Sequence, residues 1–328
     1  MRRFARFLLW SGGGLLVVAA ITAAWLLRDP EPYFLERRST LVAVDSTAPE
    51  IDGDALVTDY SLLARSELRV DLSVRTPLPD SVTIRRPLYI ILGGQRRGKG
   101  AGALIGDTRG NIFASLEYPF DGNQDAKGLA LVMEIPAIRR ALFDTPPAVM
   151  LALDHLLTRP DVDHTRVELV GASFGAPFGT IAAAIDSRVT RLWLAHGGGE
   201  PYQLINRGLE REIKSAPLRA IVAGVATMVA SGPRMAPEQW IGRVAPRPVV
   251  MLNAEDDERI PRRSVEALWL KAREPKQQIW LPGLHMQGNR PATLEDLVNR
   301  MMAIADSTAD VTATHSGASS SVVQRPPE

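Results

Sequence analysis

Apolar positions along this chain change their period several times, and each change marks a segment. Phe7 to Leu27 shows no polar period at all: 21 residues pass without a charge, behind Arg2, Arg3 and Arg6. As a helix rising about 1.5 Å per residue, such a run reaches roughly 30 Å, the depth of a bilayer's hydrocarbon core. The flanking arginines predict a cytoplasmic amino terminus with the remainder exported. Residues 1–30 are therefore expected to form a single-pass transmembrane signal-anchor, with the rest of the chain on the periplasmic or extracellular side. Thr22-Ala23-Ala24 supplies small residues for cleavage, so a cleaved signal and a secreted product are the alternative.

After this run the pattern turns strand-like. Leu41-Val42-Ala43-Val44 and Leu68 to Val74 cluster or alternate as strands do. Short apolar runs follow at Arg86–Leu92, Arg166–Val170, Val189–Leu194, Arg247–Leu252 and Gln278–Leu281, and they read as buried strands. Helical spacing appears from Thr145-Pro146-Pro147 to Leu157, from Ala176 to Ile185, and from Pro291 to Asp306 with Leu294, Leu297 and Met301 on one face. Pro160 to Asp163 reads as a turn. Gly197 to Val244 is long for a connection and predicts helices capping a pocket, a lid at about 197–245 with its rim at Pro233, Pro237 and Trp240. Its apolar stretch Ala220 to Ala230 is too short to span a membrane and reads as a lid or buried helix. Beyond Ser307 the residues are mostly small and polar, and disorder is expected over 307–328. The body of the chain, 31–306, is then expected to be one domain.

Composition narrows the function classes. A 45% hydrophobic fraction with 23% charged residues is that of a globular chain with a sizeable core. The 38 basic and 37 acidic residues nearly cancel, so no global field attracts nucleic acid. The arginine pairs at 37–38, 85–86, 96–97 and 262–263 are scattered and read as solvated. With no cysteine, disulfides, thiolate metal sites and a cysteine nucleophile are excluded. No His/Glu spacing suggests a metal, and no cofactor is expected.

The chemistry centres on Gly171-Ala172-Ser173-Phe174-Gly175, placed where a strand should end and a helix begin. A serine there sits on a sharp turn that lifts its hydroxyl above the sheet, and Gly171 and Gly175 leave room for the bend. A serine hydroxyl needs a base within hydrogen-bond reach, and the base needs a third group to orient it. Of five histidines, His155 falls in a helix, His164 in a turn and His315 in the polar tail; His196 ends a strand. His285, in the loop after Gln278–Leu281, is the best placed to reach a sheet edge. The acid is expected just past Arg247–Leu252, in Asn253 to Pro261, where Asp256 and Asp257 compete. One oxyanion donor should be the N–H of Phe174, the residue after the nucleophile.

Residues 86 to 307 resemble the α/β-hydrolases, closest to the dienelactone hydrolase and prolyl-oligopeptidase-like branch. The likeness rests on Arg159 to Asp163 leading into the serine turn, on the acidic loop ending Arg259-Ile260-Pro261, and on Gly283-Leu284-His285. It implies an α/β-hydrolase fold, a mostly parallel doubly wound sheet with a small helical lid insertion. Carried over residue by residue, it implies Asp257 as the acid, with Ala254 where the pattern has glycine. It also implies Gln95 N–H as the second oxyanion donor, with Gly94 allowing close approach and Gly93 where a histidine is usual.

Two other patterns compete. Gly93 to Lys99 fits G-x-x-x-x-G-K, but Gly100 follows where magnesium needs a hydroxyl. His196-Gly197-Gly198-Gly199 resembles a lipase oxyanion loop, yet comes after the serine rather than before it. The expectation is a serine hydrolase acting on an ester or related acyl bond of a small molecule through Ser173, Asp257 and His285. A peptidase or thioesterase on the same fold, or an inactive anchored binding protein, are the alternatives.

Overall fold

The computed structural model describes residues 28–79, 84–230, 232–287 and 289–318. Helix α1 (Glu31–Arg38) leads into strands β1 (Leu41–Ser46), β2 (Glu50–Asp52), β3 (Ala55–Ala64), β4 (Arg69–Pro77), β5 (Arg86–Leu92) and β6 (Ile112–Leu116). Helix α2 (Leu129–Leu156), strand β7 (Val162–Ala172), helix α3 (Ala176–Ile185) and strand β8 (Arg191–Ala195) follow. Four helices come next: α4 (Pro201–Gly208), α5 (Ala216–Val229), α6 (Gly232–Met235) and α7 (Pro237–Trp240). Strand β9 (Val249–Ala254), helix α8 (Arg262–Lys271), strand β10 (Lys276–Leu281) and helix α9 (Pro291–Ala318) complete the order.

All ten strands join one sheet, ordered β1-β3-β4-β6-β5-β7-β8-β9-β10 with β2 hydrogen-bonded to β3. From β6 to β10 every neighbour is parallel, whereas β1 to β4 run antiparallel at the other side. The parallel strands are apolar nearly throughout because both their faces are covered. In β5, Leu88, Tyr89, Ile90, Ile91 and Leu92 are all buried. One face packs Leu88, Ile90, Leu169, Leu192 and Met251 against α2 and α3; the other packs Tyr89, Trp193 and Leu252 with Leu297 and Met301 of α9. The doubly wound, mostly parallel sheet with a helical insertion between β8 and β9 is the architecture the sequence predicts.

Several boundaries differ from the sequence reading. Helix α2 begins at Leu129, well before Thr145, and passes through Pro136, Pro146 and Pro147. Ala148 to Leu153 are buried without a break, and this packing holds the helix across the donors its prolines lack. The Thr145 hydroxyl meanwhile donates to the Ala141 carbonyl at 2.7 Å. Strand β7 starts at Val162, so the expected turn is shortened and His164 lies on a strand. Strands β3 and β6 carry no period that marks them in the sequence. Trp240, expected at a lid rim, is buried against Phe34 with ring centroids 6.0 Å apart.

The two ends of the chain also differ. Helix α9 runs on to Ala318, through the stretch expected to be disordered from Ser307. Extending a helix already anchored by packing costs only propagation, so polar composition alone does not end it; residues 319–328 lie outside the described residues. The expectation of a transmembrane signal-anchor is corrected: no helix among the described residues is long and apolar enough to cross a membrane. The Phe7–Leu27 run that prompted it lies outside the described residues.

Candidate active site

Ser173 stands at the carboxyl end of β7, between the strand and a 3-10 turn, Ser173–Gly175, that opens α3. Its φ is +52°, a left-handed conformation that costs a non-glycine residue roughly 1–3 kcal/mol. The turn closes only because its flanks lack side chains. A Cβ on Gly171 would lie 2.9 Å from Ala176 Cα, and one on Gly175 only 2.2 Å from the Leu92 carbonyl oxygen.

Strand β9 ends beside β8, and β10 beside β9, so the two loops carrying the expected acid and base rise at the same sheet edge as the serine. His285 is 1% exposed, with Nε2 2.9 Å from Ser173 Oγ and Nδ1 2.8 Å from Asp257 Oδ2. Asp257 Oδ1 accepts the N–H groups of Arg259 and Ile260, both at 2.8 Å, which fixes the carboxylate's orientation. Burial pushes the Asp257 carboxyl up, but hydrogen bonds from His285 and these two N–H groups outweigh it and hold it below the usual range. Asp256 points elsewhere: its side chain is exposed, and its N–H donates to the Gly283 carbonyl at 3.0 Å. His155 packs at a tilt against Tyr60, His164 lies on β7, and His315 is on α9 beyond the described side chains.

A second layer was not visible in the sequence. Glu258 accepts the backbone N–H of His285 at 2.8 Å, while Arg290 donates to the His285 carbonyl at 2.6 Å and to Glu258 Oε1 at 2.9 Å. The imidazole is thus held by its own peptide groups, front and back. Burial alone would raise the Glu258 carboxyl, but the His285 N–H and Arg290 reverse this and bring it down to about 2. Because the folded value lies below the usual 4.5, this carboxylate stabilises the fold above about 4.5, and the contribution is lost as pH falls toward about 2. In urea unfolding across that window, the Glu258→Gln protein should lose less stability than the wild type. Parallel curves for the two proteins would show that the carboxylate contributes nothing.

His196 stands at the end of β8, as the sequence suggests, and its ring lies against that of His285, with centroids 5.2 Å apart. Burial, with the nearby His285, lowers its pKa to about 4 despite the acids close by. Asp257 Oδ2 is 3.5 Å from His196 Nδ1, but that nitrogen accepts the Met286 N–H at 3.1 Å. A neutral ring carries no proton there, so the contact is not an ion pair. His196, Asp257 and His285 each bring one potential metal ligand within 4.8 Å. Those atoms are already engaged with Met286 and with one another, and we read them as a hydrogen-bonded cluster.

Two clefts meet at Ser173. The first, about 460 Å³, lies beneath the helices after β8 and is mainly apolar, with Leu142, Phe178, Leu204, Ile205 and Met235 in its walls and Arg207, Arg211, Glu258 and Arg259 among its charged lining residues. The second, about 560 Å³, is bounded by the loop after β5, by His285 and by α9. Gly94, Gln95 and Phe174 line this second cleft together with Ser173. The loop is anchored by the Tyr118 hydroxyl, which donates to the Gly93 carbonyl. Lys99, the cation of the phosphate-loop pattern, is instead paired with Asp59 at 2.5 Å.

No protein-family model matches the chain, and no curated protein matches it. Its fold does have solved counterparts. An acetyl xylan esterase from Paenibacillus sp. R4 superposes with a TM-score of 0.61 at 14% identity, over 84% of this chain and 92% of that one. Acetyl xylan esterase 1 from Thermoanaerobacterium sp. JW/SL YS485 gives 0.58 at 16% identity, over 85% and 94%. The α/β hydrolase GrgF from Penicillium sp. sh18 gives 0.52 at 15% identity, over 80% and 98%. At such identities the likeness concerns architecture, and the architecture is the α/β-hydrolase fold.

Proposed function

We propose that the protein is a serine hydrolase that cleaves carboxylic esters of small molecules through an acyl-enzyme. One observation carries the reading: the hydrogen-bonded relay of 2.9 Å from Ser173 to His285 and 2.8 Å from His285 to Asp257. With Nδ1–H donating to Asp257, the Nε2 lone pair faces the serine hydroxyl and takes its proton as Oγ attacks the acyl carbon. His285 then returns that proton to the departing alcohol oxygen. Water, activated by the same imidazole, releases the acid. The N–H groups of Phe174 and Gln95 are the donors assigned to the oxyanion, supported by their residues bordering the same cleft as Ser173.

Ester cleavage is favoured over peptide cleavage because the acetyl xylan esterases share this architecture. An apolar acyl cleft of about 460 Å³ beside Ser173 is compatible with it. A fluorophosphonate probe should form a covalent adduct on the Ser173 peptide of the full-length chain, and aryl esters of graded acyl length should be hydrolysed. Folded protein that neither takes the probe nor hydrolyses any ester would leave a binding scaffold as the better account.

A further inference from the structure

The sequence scatters its arginines, but folding gathers three of them at one side of Ser173. Arg96 and Arg97, from the loop after β5, line the second cleft alone, and Arg259, from the loop after β9, stands between the two clefts and lines both. No aspartate or glutamate among the described residues lines the second cleft with them. Elsewhere guanidinium groups find carboxylates: Arg37 pairs with Asp144, Arg38 with Asp154, Arg159 with Asp161 and Arg188 with Asp186. Among the described residues the side chains of Arg96, Arg97 and Arg259 have no such partner. The first cleft also has arginines, Arg207, Arg211 and Arg259, but Glu258 lines it with them and Arg207 pairs with Glu210, so the second cleft is the one whose lining carries cations without a carboxylate.

The chemistry of the relay tells the two clefts apart. His285 must hand its proton to the alcohol oxygen, so the alcohol has to lie on the side His285 faces. His285 lines the second cleft and not the first. The acyl group therefore occupies the apolar cleft under the lid, and the leaving alcohol occupies the cleft with the three unpaired arginines. We propose that this second cleft is a subsite for an anionic alcohol, and that the preferred substrates are esters joining an apolar acyl chain to an alcohol that bears a carboxylate or phosphate. The proposal rests on the reading of Ser173 as nucleophile.

The balance of the step is that of an ordinary ester hydrolysis. Ser173 Oγ bonds to the acyl carbon and the bond from that carbon to the alcohol oxygen breaks. The proton that left Oγ passes through His285 Nε2 to that oxygen. Water then adds to the acyl-enzyme, giving the acid and free Ser173. Guanidinium groups suit the subsite because they stay charged and present forked donors to planar or tetrahedral anions. Being exposed, they act mainly by steering and weak binding, so the expected preference is about tenfold.

The test uses a matched pair of butyryl esters on the full-length protein, one of 4-hydroxybenzoate and one of 4-hydroxybenzamide. The wild type should show kcat/KM about tenfold higher for the anionic ester at low salt. The ratio should fall toward one near about 1 M NaCl, where the screening length is about 3 Å. A variant carrying Arg96→Gln, Arg97→Gln and Arg259→Gln should bring the ratio to about one. Because the readout is a ratio, any general loss of rate from loop disturbance cancels. Lys127→Gln, an exposed cation lining neither cleft, should leave the ratio as in the wild type. A wild-type ratio near or below one, with both esters hydrolysed, overturns the anionic subsite and leaves the hydrolase standing. No turnover of either ester, with no probe adduct on Ser173, overturns both.

Discussion

Ser173→Ala protein should remain folded and lose ester turnover by about 10⁵-fold, with the fluorophosphonate adduct gone altogether. Two structural facts set the size of this effect and its selectivity. The hydroxyl is the only reacting group removed, and its 2.9 Å bond to His285 Nε2 is the one link of the relay that alanine breaks. The backbone at 173 keeps its left-handed φ of +52° with either residue, so alanine adds no new strain. One buried ring nitrogen is left without its partner, a cost of about 1 kcal/mol that should barely move thermal unfolding. Equilibrium binding of an ester to the inert protein should remain measurable, since of the residues lining the two clefts only Ser173 has changed. A Ser173→Ala protein with more than about a hundredth of the wild-type rate would remove Ser173 from the chemistry.

Asp257→Asn should lower kcat by about 10³ to 10⁴ while leaving KM nearly unchanged. The reason lies in which atoms an amide can offer. Oδ1 of Asp257 receives two backbone N–H groups, from Arg259 and Ile260, so an asparagine must place its oxygen there. Its NH₂ group then faces His285 Nδ1, where a proton now sits. The imidazole answers by moving its proton to Nε2, which points a donor at Ser173 where an acceptor is needed. Asp256→Asn, one residue away with an exposed side chain, should stay within a factor of about two of wild type. Finding the large loss at 256 instead of 257 would mean that the acidic loop takes a different path in the working protein.

The parts of the site that were legible in the sequence share a physical cause. Ser173, Asp257 and His285 each follow an apolar strand run within a few residues, and a parallel sheet brings such strand ends to one edge. Once the strands are recognised, their register does the rest: Ala172 lies beside Ala195, and Ala195 beside Leu252. The clamp on His285 was illegible because Glu258 and Arg290 meet only through the paths of two loops, with no period linking positions so far apart. The same holds for His196, whose approach to His285 depends on a strand-end backbone at φ +50°. Charge convergence failed for a related reason. Arg96 and Arg97 look solvated in isolation, and only the closing of the β5 and β9 loops around one cleft brings Arg259 near them. Helix boundaries were misplaced where packing overrode propensity, at the prolines of α2, and where an anchored helix propagates through polar residues, at the end of α9.

The order of strands also decides which part of the site is the most fragile. Strand β10 closes the sheet and is hydrogen-bonded on one side only, to β9, and the loop that carries His285 hangs from it. Ser173 directly follows β7, a strand with sheet on both sides. Peripheral strands open at lower free energy than interior ones. His285 can therefore drift from Ser173 while most of the molecule stays intact. Silent, structured, reversibly idle molecules are the form in which this protein should first fail under stress.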